Sequence, residues 1–172
     1  MIMGLINWSG LFGQNKKTDI KDKVDVNKPV ENPDLKKAFE LFRTNRTEDN
    51  LKKVIDGLLK ANLLVLIVTD EMKTSKDSPN NLTVEKGSLL KFLNCFDENS
   101  KPFLPAFTDW QEVDAWMKKR DNNVGGFIMT TFDIFEFAKR DSSYVGVVIN
   151  PGSNPWTMKR EQVLNFLNDY KK

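Results

Sequence analysis

Four acidic side chains lie near the places where apolar, strand-like runs give way to helical patterns. They are Asp109, Glu112, Asp114 and Asp133. Paired carboxylates at such an edge could act as general acid and base, or could bind Mg²⁺ through their oxygens. Their positions also fit a simpler role, because acidic and hydroxyl side chains at strand-to-helix junctions usually cap the helix or occupy its first turn. We therefore expect capping.

Histidine is absent from the 172 residues, and Cys95 is the only cysteine. Without imidazole the chain has no Ser-His-Asp or Cys-His nucleophile and no His-ligated metal site, and one thiol forms no thiolate cluster. Cys95 lies in an apolar run and is expected to be a small core residue. The sequence therefore predicts no catalytic residue, no metal and no cofactor, while carboxylate or lysine chemistry stays open.

The pair Lys159 and Arg160 departs from the usual charge pattern of helices. The pattern predicts that both lie in the first turn of the last helix, where acidic residues are preferred. The loop before them, residues 150–156, contains two prolines and ends in Trp156. Tryptophan is enriched in interface hot spots, so a recognition surface is one interpretation. In the other interpretation Trp156 folds back onto the domain and the charges are solvated.

Two amphipathic helices are predicted to position the first half of the fold. Apolar residues recur at helical spacing after Asp34 and again after Thr47. The second helix leads into residues 63–68, six consecutive apolar residues that predict a central strand buried on both faces. Residues 70–87 are polar and predict a long surface loop.

Strands and helices alternate in the second half of the chain. Residues 88–96 and 102–107 flank a polar turn and predict a hairpin, and Asp109 is expected to cap the following helix. The remaining predicted elements are a strand over 125–129, a helix over 131–140, a strand over 144–149 and a helix over 158–170. This order predicts an α/β (α+β) fold, with a mixed, partly parallel sheet of about five strands covered by helices.

Four features, in this order, resemble the N-terminal domain of the SseB family, which is named for enhanced serine sensitivity. They are the paired helices running into residues 63–68, the Pro-Ala-Phe-Thr-Asp-Trp step at 105–110, the unit at 127–138, and Val-Val-Ile-Asn-Pro-Gly-Ser at 147–153 before a final helix. The resemblance covers roughly residues 34–167. It implies a bacterial cytoplasmic protein with an SseB-like fold and no agreed enzymatic activity, and it transfers no functional residue.

The charge balance and the single thiol indicate the surroundings of the protein. The 26 Lys and Arg against 24 Asp and Glu leave a net charge of +2, too small to predict binding to nucleic acid. A lone cysteine favours a reducing compartment, so we expect a cytoplasmic location. Residues 1–33 are predicted to be a flexible tail and linker, and residues 34–172 the folded domain. Leu5, Trp8 and Phe12 could anchor the tail to a membrane, which we do not expect.

A binding surface is expected where the strands end, because open α/β sheets usually bind ligands at the carboxyl ends of their strands. The candidate residues are Thr108, Asp109, Thr130, Thr131, Asn150, Ser153, Trp156, Lys159 and Arg160. Our first hypothesis is a non-enzymatic binding or regulatory module that recognises a protein partner or a small anionic ligand. The alternatives are a small carboxylate- or metal-dependent enzyme and an adaptor anchored by the N-terminal tail.

Overall fold

The fold is given by a computed structural model that describes residues 4–7, 30–68, 74–78, 81–84, 89–119 and 123–170. The helices are α1 (Pro33–Thr44), α2 (Glu48–Lys60), α3 (Trp110–Trp116), α4 (Thr131–Arg140) and α5 (Arg160–Tyr170). The strands are β1 (Gly4–Asn7), β2 (Asn62–Val68), β3 (Thr74–Ser78), β4 (Asn81–Val84), β5 (Leu89–Phe92), β6 (Cys95–Phe96), β7 (Pro102–Ala106), β8 (Val124–Thr130), β9 (Gly146–Ile149) and β10 (Trp156–Lys159).

The described strands form two four-stranded sheets and one separate hairpin. The first sheet has the order β1-β5-β2-β8, the second has the order β10-β9-β7-β6, and β3 pairs with β4. Strands β7 and β9 are parallel, and the other pairings are antiparallel. The main chains of Leu64 and Phe107 exchange hydrogen bonds of 2.9 and 2.8 Å, which join the two sheets. The expected α+β fold with a mixed, partly parallel sheet is confirmed, although its strands are divided between two sheets.

Three strands end on the same side of this arrangement. Strand β8 and the residue after β7 both pair antiparallel with β2, and β9 is parallel to β7. The carboxyl ends of β7, β8 and β9 therefore lie together, beside the amino end of β2. We call this region the carboxyl edge and define it by residues 107–112, 130–133 and 150–153.

Strand β2 divides the apolar core into two clusters. Leu63, Val65 and Ile67 belong to the cluster that includes residues of α1, α2, α4 and α5. Leu64, Leu66 and Val68 belong to the second cluster, which includes residues of α3. Alternate side chains of a strand point to opposite faces, so β2 is buried on both faces, as its continuous apolar run predicts.

Helix starts are fixed by side chains close to the carboxyl edge. Asp109 accepts a hydrogen bond from the Glu112 N–H and caps α3, and Thr130 caps α4 through the Asp133 N–H. These two caps are as expected. The residue before α1, Asn32, makes no cap; its Nδ2 donates to the carbonyl oxygens of Asn62 and Thr108, both at 2.8 Å. The start of α1 is thereby tied to the carboxyl edge.

Three predicted boundaries are wrong. The polar stretch at 70–87 contains the hairpin β3–β4 rather than only loop, and residues 88–96 form two strands in different sheets. The last helix begins at Arg160 and not at residue 158, because residues 156–159 pair with β9 as an added strand. Local pattern misses this strand, because its hydrogen bonds come from elsewhere in the chain.

The predicted tail, residues 1–33, is only partly described. Gly4–Asn7 pair with β5, and Val30 packs against the second cluster. Trp8 and Phe12, which were considered as membrane anchors, lie outside the described residues. None of the helices in the described ranges is both long and apolar enough to cross a membrane. The domain boundary between residues 33 and 34 stays a prediction.

Candidate functional site

Asn150 holds the loop after β9 against the loop after β7. Its φ of 56° lies in the left-handed region, and the residue is 4% exposed. Its Oδ1 accepts a hydrogen bond from the Thr108 main-chain N–H at 2.9 Å, and its Nδ2 donates to Thr108 Oγ1 at 3.0 Å. Asparagine suits this position because it tolerates positive φ and carries both a donor and an acceptor.

A charged network lies next to this pair. Lys36 Nζ of α1 is 3.0 Å from Asp109 Oδ2 and 2.9 Å from Glu112 Oε1. Ser153 Oγ donates a hydrogen bond to the other carboxylate oxygen of Glu112. Lys36, Asp109, Glu112 and Ser153 thus connect α1, α3 and the loop after β9, and we call them the Lys36 network.

The Lys36 network shifts the pKa of Asp109 and of Lys36. Burial alone would raise the pKa of Asp109, but the hydrogen bonds from Lys36 and from the Glu112 N–H outweigh it and hold that pKa below its ordinary value. Burial alone would lower the pKa of Lys36, but the bonds to Glu112 and Asp109 outweigh it and raise that pKa. Asp109 is therefore ionised at neutral pH and has no proton to donate.

We expect Asp109→Asn to lower stability at neutral pH, and we expect this loss to disappear as the pH falls below 3.8, the ordinary Asp pKa, and through the lowered folded-state pKa. A carboxyl group whose pKa is lowered in the folded state stabilises the protein at pH values above its ordinary pKa. This contribution is lost as the pH falls through the folded-state pKa. Asn still caps the helix. Because the pair is partly exposed and screened, the neutral-pH loss should be less than about 1 kcal/mol.

Urea unfolding of both proteins at a series of pH values measures this difference. The exposed Asp169 provides the matched control, because Asp169→Asn removes a carboxylate of α5 that makes no ion pair with any described residue. A loss for Asp109→Asn that is equally large at acid and neutral pH would contradict the ion-pair assignment.

The two threonines at the start of α4 have structural contacts. Thr130 Oγ1 accepts from the Asp133 N–H at 3.1 Å and donates to Asp133 Oδ2 at 2.7 Å. Thr131 is buried, and both its N–H and its Oγ1 bond the carbonyl oxygen of Ala61, at 3.2 and 3.4 Å. These contacts hold the start of α4 against the start of β2.

Trp156 folds back onto α1, as the second of the two interpretations of residues 150–156 predicted. Its ring stacks on Phe39, with centroids 4.8 Å apart and an interplanar angle of 18°, and it meets Phe42 edge-on at 5.5 Å. The Arg43 guanidinium donates to the carbonyl oxygens of Asn154 and Pro155. Helix α1 therefore holds the end of the loop, residues 154–156, and Trp156 is half-buried.

Lys159 and Arg160 do not join the carboxyl edge, contrary to expectation. Strand β10 runs back along β9, so Lys159 pairs with Gly146 at the amino end of β9. Arg160 donates to four carbonyl oxygens, those of Ala138, Lys139, Asp141 and Tyr144, at 2.9, 2.6, 3.3 and 3.1 Å. The guanidinium thus closes the carboxyl end of α4, which explains a cation at the start of α5.

The sequence reasoning missed the α1 side chains that complete the edge and one exposed aromatic ring. Lys36 lies 73 positions from Asp109, so no local pattern connects them. Trp110 begins α3 and is 37% exposed, with its ring over Gly126 of β8, where a Cβ would lie 2.5 Å from Trp110 Cη2. The sequence feature that could have identified Trp110 is its position directly after Asp109, the cap of α3.

The described residues offer little for metal or thiol chemistry. No group of three or more His, Cys, Asp or Glu side chains that could hold a metal ion occurs within the described ranges. Burial raises the pKa of the Cys95 thiol to about 11, so it is protonated at neutral pH. The Cys95 side chain is half-buried and lies 3.6 Å from the Phe103 carbonyl oxygen. These contacts fit the structural role expected for Cys95.

Comparison with known proteins identifies the family. No curated protein and no solved structure matches the chain significantly. The family model described as SseB protein N-terminal domain matches residues 35–164, which include β2 and all three junctions of the carboxyl edge. This is the resemblance seen in the helix pair and in the loops after β7 and β9, and the chain belongs to the SseB family.

Proposed function

We propose that this domain is a non-enzymatic binding module that recognises a protein partner at the carboxyl edge. The observation that carries the proposal is the Lys36 network, because its bonds occupy the carboxylates of Asp109 and Glu112. The reactive groups of the edge thus brace the loops against one another. A braced edge presents a preformed surface, and preorganisation reduces the entropy lost on binding.

Trp110 supplies the anchor of this surface. Its ring lies against the backbone of Gly126 and keeps 37% of its surface in contact with solvent. Tryptophan gives a large contact area with few rotatable bonds and is enriched among interface hot spots. Trp110 replaces Trp156 in this role, because Trp110 lies at the carboxyl edge and is the more exposed of the two rings.

The charges favour a protein partner over a small anionic ligand. Lys36 carries one positive charge beside the two carboxylates of Asp109 and Glu112, so the network is net negative. An anion at this edge would meet that negative charge, and the basic residues Lys159 and Arg160 lie at the other end of β9. A partner that approaches the edge with apolar or basic groups avoids this repulsion.

A carboxylate- or metal-dependent enzyme is the weaker proposal. It would need Asp109 or Glu112 to transfer a proton or to bind a cation, and Lys36 Nζ already lies between the two carboxylates at 3.0 and 2.9 Å. For the compartment, we keep the proposal of a bacterial cytoplasmic protein. The lone cysteine and the family resemblance support it.

Trp110→Ala should reduce partner capture by tagged full-length protein about tenfold or more, since hot-spot truncations typically remove 2 kcal/mol or more of binding free energy. The measurement is affinity capture from the organism's own cells followed by quantitative mass spectrometry. Phe96→Ala is the matched control, because Phe96 is equally exposed at 38% but pairs with Pro102 at the far end of β7.

A second variant separates binding from folding. Gln111→Arg adds bulk and charge at an exposed residue beside Trp110 and leaves the core unchanged. It should also weaken capture while the melting temperature stays near that of the wild type. If the Trp110→Ala and Gln111→Arg variants capture the same partners in undiminished yield, the carboxyl edge is not the recognition surface.

A further inference from the structure

A concave site, apart from the carboxyl edge, lies between α1 and α2. It is a cleft of about 530 Å³ whose lining includes Leu35, Ala38, Gly57 and Ala61, together with Leu41, which is 39% exposed. This volume falls within the range of small-molecule sites, about 300–1,000 Å³. No member of the Lys36 network lines the cleft. The cleft is therefore a separate site with an apolar floor.

Charged side chains of both signs border this floor. Glu31, Asp34 and Lys37 line it at and before the start of α1, and α2 contributes Lys53, Asp56 and Lys60. A connection of three residues makes the two helices antiparallel, and Asn32 bonds the Asn62 carbonyl, so the start of α1 lies beside the end of α2. Each end of the cleft thus carries charges of both signs on facing rims.

These six rim charges form no ion pair among the described residues. None of them lies within 4.0 Å of an oppositely charged group there, and all six side chains are exposed. Elsewhere on α1 the geometry differs, since Lys36 is held by two carboxylates. The cleft therefore offers three anionic and three cationic contacts around an apolar floor without an ion pair among them.

We propose that the cleft binds a small zwitterion with an apolar body, such as a short peptide with free termini. A ligand with a single charge would be attracted by one rim charge and repelled by its neighbour. A zwitterion can place its ammonium group near Asp34 or Asp56 and its carboxylate near Lys37 or Lys60. Its apolar body would cover the floor formed by Leu35 and neighbouring residues, which removes apolar surface from water.

Three peptides with the same apolar body test the charge requirement. They are Leu-Leu-Leu with free termini, its N-acetylated form and its C-terminal amide, each titrated into full-length ¹⁵N-labelled protein. The free peptide should shift the Gly57 amide resonance and bind about fivefold more tightly than either blocked form, since one exposed ion pair contributes up to about 1 kcal/mol. The same affinity for all three peptides, or no shift at Gly57, would overturn the proposal.

A variant that lacks two lysine charges tests whether these lysines contact the ligand. Lys37→Gln with Lys60→Gln should weaken binding of the free peptide about fivefold and should not weaken binding of the amide, because the amide has no carboxylate to lose and the two lysines repel its ammonium group. Lys52→Gln is the control, since Lys52 is an exposed lysine of α2 that does not line the cleft. If the double variant still prefers the free peptide over the amide by the same factor, the lysines do not contact the ligand.

Discussion

Asn150→Ala should lower the free energy of unfolding by about 3–4 kcal/mol, among the largest effects expected of a single substitution. The change removes the side-chain bonds between Asn150 and Thr108 and leaves the buried Thr108 N–H without its acceptor. Alanine must also adopt the left-handed backbone of Asn150, which adds about 1 kcal/mol of strain. Urea denaturation followed by circular dichroism measures the loss.

Asn150→Gly separates the two causes. Glycine adopts φ of 56° without strain but has no amide, so this variant should be about 1 kcal/mol more stable than Asn150→Ala and still well below the wild type. Asn154→Ala is the control, because Asn154 is exposed in the same loop and only its carbonyl group makes a described contact. Equal stability of Asn150→Ala and the wild type would show that the Asn150–Thr108 bonds do not hold the two loops together.

Arg160→Ala should lower the free energy of unfolding by about 2–3 kcal/mol. The guanidinium donates to the carbonyl oxygens of Ala138, Lys139, Asp141 and Tyr144, so its loss removes this donor from two carbonyl groups in the last turn of α4 and from two just beyond it. Water can replace part of these bonds because Arg160 is only half-buried, which limits the effect. Thermal and urea unfolding measure it.

The neighbouring lysine provides a control for Arg160. Lys159→Ala removes an exposed cation from β10 and should change stability by no more than about 0.5 kcal/mol. Arg160→Lys should recover only part of the lost stability, because one ammonium group cannot replace a planar guanidinium group that reaches four acceptors. Losses of the same size for Lys159→Ala and Arg160→Ala would show that general charge, and not the carbonyl contacts, explains the effect.

Residues with local signals were predictable from the sequence. The apolar run of β2 predicts burial on both faces, and the place of Asp109 before a helical pattern predicts the cap of α3. These features depend on periodicity and on hydrogen bonds between residues three positions apart. Strand β10 was not predictable in this way, because residues 156–159 become a strand only by pairing with β9.

The same distinction separates the residues of the candidate site that could be predicted from those that could not. Thr108, Asp109 and Asn150 were predicted together, because strands that end on one side of a sheet bring their loops together. Lys36 and Asn32 were missed because α1 reaches the edge from about 75 residues away, a distance that carries no sequence pattern. Arg160 was assigned to the wrong end of β9 because the strand before it was read as a loop.

The central place of β2 has a consequence for synthesis of the protein on the ribosome. Asn62 pairs with Thr130, and Leu64 pairs with both Ile128 and Phe107, so the partners of the first half of this strand are made long after it. The second half pairs earlier, because Ile67 and Val68 pair with β5. A nascent chain that ends before residue 107 therefore leaves residues 62–65, which are mostly apolar, without their strand partners, and such segments are prone to aggregate. The helix pair α1–α2 is made just before β2 and is the local structure that can cover its apolar face until β7 and β8 emerge.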